Sequence, residues 1–90
     1  MRILQTPTFT KAVKRLHANQ KRDLDDAVRT VAADPLCGEA KVGDLSDVRV
    51  YKFKMVKQLT LLAYQWDEVE PTITLLALGS HENFYRDLKR

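Results

Sequence analysis

Val48-Arg49-Val50-Tyr51-Lys52-Phe53-Lys54-Met55-Val56 alternates its side chains with a period of two. Val48, Val50, Lys52, Lys54 and Val56 fall on one face of a strand, and Arg49, Tyr51, Phe53 and Met55 on the other. The residues downstream decide what this strand joins. Lys57-Gln58 reads as a turn, Leu59 to Trp66 as a second strand, Asp67 to Pro71 as a polar turn, and Thr72 to Leu78 as a third strand. The last two strands are nearly continuous in apolar residues. Such runs suit central strands covered on both faces, or a face that meets a partner. The C-terminal half is therefore predicted to be an antiparallel meander.

Upstream, the period changes. Arg2 to Gln5 reads as a short strand, ended by Thr6-Pro7. Thr6 is suited to cap a helix whose first residue is Pro7. Phe9, Ala12, Val13 and Leu16 then fall at i, i+3, i+4 and i+7, one helical stripe. His17-Ala18-Asn19 reads as a tight connection, with Asn19 as cap of a second helix. In that helix Leu24, Ala27, Val28, Val31 and Ala32 repeat the spacing, until Asp34-Pro35 ends it. Two amphipathic helices joined so closely form an antiparallel hairpin. Leu36 to Ser46, with Gly38 and Gly43, reads as a loop. Past the third strand, Gly79 breaks the pattern and Ser80 can cap a short helix, on which His81, Tyr85 and Leu88 share one face. The predicted class is α+β: an N-terminal strand, a helical hairpin packed on a mainly antiparallel four-stranded sheet, and a short C-terminal helix.

Ninety residues suit one domain, spanning 1–90. The hydrophobic share of 44% supplies a core, and 30% charged residues keep the chain soluble. A domain this small buries only ~60% of its unfolded surface, so a bound partner adds usefully to its stability. The N-terminal apolar run is too short for a signal peptide, and no stretch approaches the ~20 apolar residues of a membrane helix. Cys37 is the only cysteine, which fits a reducing cytoplasm and leaves no internal disulfide. There is no metal-ligand set and no nucleotide-binding glycine loop, so neither metal nor cofactor is expected.

The net charge of +3 is modest, and its distribution says more. Between Val48 and Gln65 lie Arg49, Lys52, Lys54 and Lys57, without one acid. Acids gather at Asp23, Asp25 and Asp26, and again at Asp67, Glu68 and Glu70. The strand segment is locally basic and suits a polyanion. Taken from the residues alone, Lys52 and Lys54 read as lysines of a solvated strand face, although they share that face with three valines. His81 alone reads as a helix N-terminal residue, His17 as surface at a helix end, Phe53 and Trp66 as core, and Arg49 as a residue of the sheet rim.

Three segments together resemble the RelE/ParE toxin superfamily, over essentially the whole chain. Gly43-Asp44-Leu45 followed by Val48 to Lys54 resembles the family's entry into its second strand, including the Tyr-Lys-x-Lys arrangement of RelE. Leu61-Leu62-Ala63-Tyr64 resembles its third strand, which closes on tyrosine. Leu78-Gly79-Ser80-His81 resembles the C-terminal Gly-Ser-His motif of the YafQ-like branch. The resemblance implies a cytoplasmic bacterial toxin of a type II toxin–antitoxin system, held by a cognate antitoxin. Members of this kind either cut messenger RNA in the ribosomal A site or poison DNA gyrase.

For RNA cleavage the resemblance assigns catalytic roles to His81, Lys52, Lys54 and Tyr85. Beside them Lys57, at the turn, is expected to extend the cationic patch, and Arg49 and Arg86 are expected as further substrate contacts. The chemistry is consistent: Lys52 and Lys54 stand ~7 Å apart on one strand face, a spacing that grips phosphates. An unperturbed imidazole titrates near ~6.5 and serves for proton transfer. An aromatic such as Tyr85 stacks on a base, worth ~1–3 kcal/mol. The expected activity is a metal-independent mRNA endoribonuclease that leaves a 2′,3′-cyclic phosphate, with ribosome and mRNA as partners and no membrane. The chain departs from the pattern in three places, one being that it lacks the further histidines the YafQ-like branch carries around its second strand. Leu61 stands where RelE has a strand arginine, and His81 where RelE has another. A gyrase inhibitor, or an inactive relative that only binds antitoxin, are the alternatives.

Overall fold

A computed structural model describes residues 1–41 and 47–80. The predicted Gly43-Asp44-Leu45 segment, and the predicted C-terminal helix with His81, Tyr85 and Arg86, lie outside the described residues. The elements run β1 (Arg2–Gln5), α1 (Pro7–Lys14), α2 (Ala18–Ala33), β2 (Glu39–Ala40), β3 (Arg49–Met55), β4 (Gln58–Asp67) and β5 (Thr72–Gly79). The sheet has five strands in the order β1-β5-β4-β3-β2. β1 runs parallel to β5, and all other pairs are antiparallel.

The predicted four strands become five because Glu39 and Ala40, read as loop, pair with Val50 and Arg49. Two residues are too few to show periodicity. Two boundaries also move. His17, not Asn19, is the N-cap of α2, and its N–H donates to the Gln20 side chain at 2.8 Å. The turn after β3 is Val56-Lys57, with φ of 49° and 70°, so Gln58 already belongs to β4. Positive φ at both central residues is the signature of the type I′ hairpin turn, whose twist matches that of its strands.

Both helices pack on one face of the sheet. Phe9 from α1, Leu24 and Val31 from α2, and Met55, Leu62, Tyr64, Ile73 and Leu75 from the strands form the main core. Phe53 and Trp66 pack against it as expected, half-buried. Thr6 fixes the helical layer to the sheet: its hydroxyl accepts the Phe9 N–H at 3.2 Å and donates to the Leu76 carbonyl at 2.7 Å. Leu76 is an extra residue where Ala63 faces Ala77 but Tyr64 faces Leu75. That bulge changes the phase of β5. Ile73 and Leu75 therefore reach the helix side, while Ala77 joins a second cluster with Val48, Val50, Leu61 and Ala63 on the opposite face.

Among the described residues no helix is long and apolar enough to cross a membrane.

A candidate cationic face on the sheet

Alternation along β3 sends Tyr51, Phe53 and Met55 toward the helices and Val50, Lys52 and Lys54 toward the opposite face. Rows across the sheet follow from the register. Val50 faces Ala63 and then Ala77, Lys52 faces Leu61 and then Gly79, and Lys54 faces Leu59. Along β3 this face thus grades from a buried apolar row to exposed lysines. Val50 is 1% exposed and Leu61 6%, so the floor beside the ammonium groups is closed. Leu59, beside Lys54, is 47% exposed. Lysine stems lie readily along such apolar surface with the charge held in water. Neither lysine forms an ion pair among the described residues, so both charges remain for an anion. Lys57 is exposed at the tip of the hairpin between β3 and β4.

Arg49 sits apart from this group. It faces Tyr64 in the register, on the helix side, and its Nη1 donates to the Leu36 and Gly38 carbonyls at 3.3 and 2.8 Å. The expected substrate contact is thus engaged in holding the loop after α2. Tyr64 holds the same loop from within the core. Its hydroxyl donates to the Pro35 carbonyl at 2.7 Å and accepts the Gly38 N–H at 2.9 Å. Burial pushes the phenol up to about 12 from its ordinary 10.0, with the Gly38 bond opposing.

The structure brings Lys52, Lys54 and, at the tip, Lys57 to one end of one sheet face. His81, Tyr85 and Arg86 lie outside the described residues, but β5 ends at Gly79, in the same row as Lys52. Sequence reasoning missed Asp23, whose carboxylate accepts the Val56 N–H at 2.8 Å across 33 residues. No local pattern reports a contact at that separation. Among the described residues no group of His, Cys, Asp and Glu could hold a metal ion.

The family model for the ParE-like toxin of type II bacterial toxin–antitoxin systems matches residues 3–89. No curated protein matches the sequence. Among solved structures, E. coli toxin RelE in the free state, with two arginines replaced by alanine, matches with a TM-score of 0.75 at 15% identity, covering 98% of this chain and 90% of that one. The toxin of the intact E. coli RelBE toxin–antitoxin complex matches at 0.71 and 18% identity, over 90% and 96% of the two chains. A YoeB/ParE toxin from Agrobacterium tumefaciens matches at 0.71 and 15%, over 91% and 100%. The fold is therefore the RelE-type α+β fold.

Proposed function

Because the chain belongs to the ParE-like toxin family of type II bacterial toxin–antitoxin systems, we propose that it is the endoribonuclease kind of toxin, cutting messenger RNA in the ribosomal A site and so stopping translation. The observation that carries this reading is the pair of exposed lysines on one sheet face, Lys52 and Lys54, neither of which forms an ion pair among the described residues. They stand beside the buried apolar residues Val50 and Leu61, and Lys52 is in register with the end of the strand that precedes His81 in the sequence.

In the reaction the 2′-oxygen attacks the neighbouring phosphorus, the bond to the 5′-oxygen breaks, and a 2′,3′-cyclic phosphate and a 5′-hydroxyl result. His81 takes the 2′-proton or returns one to the leaving oxygen. Lys52 and Lys54 hold the negative charge that gathers on the phosphorane, which is worth most beside a low-dielectric surface. Lys57 and Arg86 extend the contact to flanking phosphates, and Tyr85 stacks on a base. A cognate antitoxin holds the toxin inactive. The solved relatives include RelE toxins in complex with RelB.

The test adds purified protein to ribosomes translating a defined message and maps the new 5′ ends. Cuts within A-site codons, lost with His81→Ala, are the expected result. An uncut message at excess toxin removes the proposal.

One observation favours a second reading. Leu61, buried between Lys52 and Gly79, leaves that row without a third cation, which suits an inhibitor that acts by contact, as on DNA gyrase. A supercoiling assay unaffected at toxin excess excludes it.

A further inference from the structure

The hairpin that carries Lys54 and Lys57 leaves the core with a geometry its own residues do not favour. Met55 is the last residue of β3 and is buried in the cluster that holds Leu24. Val56 and Lys57 follow at φ 49° and 70°, and Gln58 pairs back with Met55. A β-branched residue avoids that left-handed region, and the pair a type I′ turn prefers is Asn-Gly. In a two-residue turn the ladder bonds join the flanking residues, so the N–H of the first central residue has no partner inside the hairpin. Local sequence therefore neither sets the direction of this tip nor satisfies its backbone.

Asp23 of α2 does both. This half-buried residue accepts the Val56 N–H on its carboxylate at 2.8 Å. Among the described residues this is the one hydrogen bond that joins either helix to the β3–β4 hairpin. Side-chain packing does not take its place. A hollow of about 170 Å³ lies between α2 and β3 beside the tip, walled by Asp23, Asp26 and Thr30 from the helix and by Tyr51, Phe53 and Lys54 from the strand. The end of the hairpin thus stands on two adjacent points, the Met55 side chain in the core and the Val56 N–H on Asp23. Lys54 and Lys57 are the residues immediately before and after them.

We infer that Asp23 is a positioning residue: by holding the Val56 N–H it aims the Lys54 and Lys57 ammonium groups at one RNA backbone. The inference rests on the reading of this end of the sheet as RNA-binding. Charge alone argues the other way, because a carboxylate beside lysines weakens their attraction for phosphate. A residue that acted here only through its charge would oppose RNA. One that acts through its bond favours RNA in spite of its charge. The two contributions have opposite signs, and substitution separates them: Asn keeps an oxygen acceptor and drops the charge, whereas Ala drops both.

Titration of the full chain with an uncleavable 2′-O-methyl RNA oligonucleotide tests this without a ribosome, at a temperature well below the melting point of each variant. Asp23→Asn is expected to bind about two-fold more tightly than the unaltered chain and Asp23→Ala about three-fold more weakly, although both lose the same charge. In a chain carrying Lys54→Ala and Lys57→Ala, Asp23→Ala has no further effect, since nothing is left to aim. On saturating ribosomes Asp23→Ala slows single-turnover cleavage by at least about ten-fold, and Asp23→Asn restores the rate. Equal or tighter binding by Asp23→Ala overturns the inference, as does Asp23→Asn binding as weakly as Asp23→Ala. So does the same loss in the chain without the two lysines, fast amide exchange of Val56 in the unaltered chain, or an unaltered chain that does not bind the oligonucleotide. Where Asp23→Ala does not fold, Asp23→Glu keeps the charge and moves the acceptor by one methylene; it must weaken binding, and unchanged binding overturns the inference. An uncut message with the expected binding pattern removes the nuclease reading and leaves this inference standing. Intact cleavage with the pattern absent removes this inference alone.

Discussion

The Tyr64 hydroxyl accepts the Gly38 N–H at 2.9 Å, and no side-chain carbon fits between them. A Cβ at position 38 would stand 2.6 Å from that oxygen. Both residues are buried, so the contact cannot relax into solvent. Gly38→Ala must push the loop after α2 off the sheet, and Tyr64→Phe leaves the Gly38 N–H and one Pro35 bond unmet. Each is expected to cost about 1–3 kcal/mol in denaturant unfolding.

The same phenol makes stability fall in alkali. Its pKa is raised to about 12 in the folded chain against an unfolded 10.0. The protonated form is the one the fold favours, so this stabilisation is complete below pH 10 and lost as pH rises through 12. The loss is on the order of 2 kcal/mol. Unfolding midpoints measured from pH 9 to 12 should show it, and Tyr64→Phe should flatten that part of the curve.

Val56 occupies a left-handed backbone position, φ 49°, that β-branched residues avoid. Replacing Val56-Lys57 by Asn-Gly, the preferred pair for a type I′ turn, should stabilise by about 1–2 kcal/mol. A calorimetric rise in Tm of at least about 4 °C is the check. Asp23→Ala, which strands the Val56 N–H, should lower the Tm.

Lys52 and Lys54 are exposed. Single replacements by Ala should leave stability within about 0.5 kcal/mol. The same changes should slow ribosome-dependent cleavage by about 10²–10³-fold, the usual cost of one charge-stabilising donor. Thermal melts alongside single-turnover cleavage separate the two effects, and equal cleavage by all three proteins would remove the lysines from the mechanism.

How far the sequence could be read depends on the reach of its signals. Helical spacing and strand alternation are local, so α1, α2, β3, β4 and β5 could be read from Phe9, Leu24, Tyr51 and their repeats. The capping Thr6 was legible for the same reason. Relations formed only on folding were hidden. Nothing near Asp23 announces Val56, and nothing in Glu39-Ala40 announces a strand. Arg49 shows the same limit: the pattern of β3 places it at the sheet rim, but not its bonds to two carbonyls of a loop 11 and 13 residues upstream. The shared face of Lys52 and Lys54 needed only a period of two.

The parallel pairing of β1 with β5 bears on how this chain is born. Thr6 and Leu76 meet across 70 residues, so β1 waits for β5 before it has a neighbour. Contacts of such long separation form late, after the intervening loop has closed. During synthesis β1 therefore stays without its strand neighbour until β5 has emerged, and the sheet gains its parallel edge among the last steps of folding.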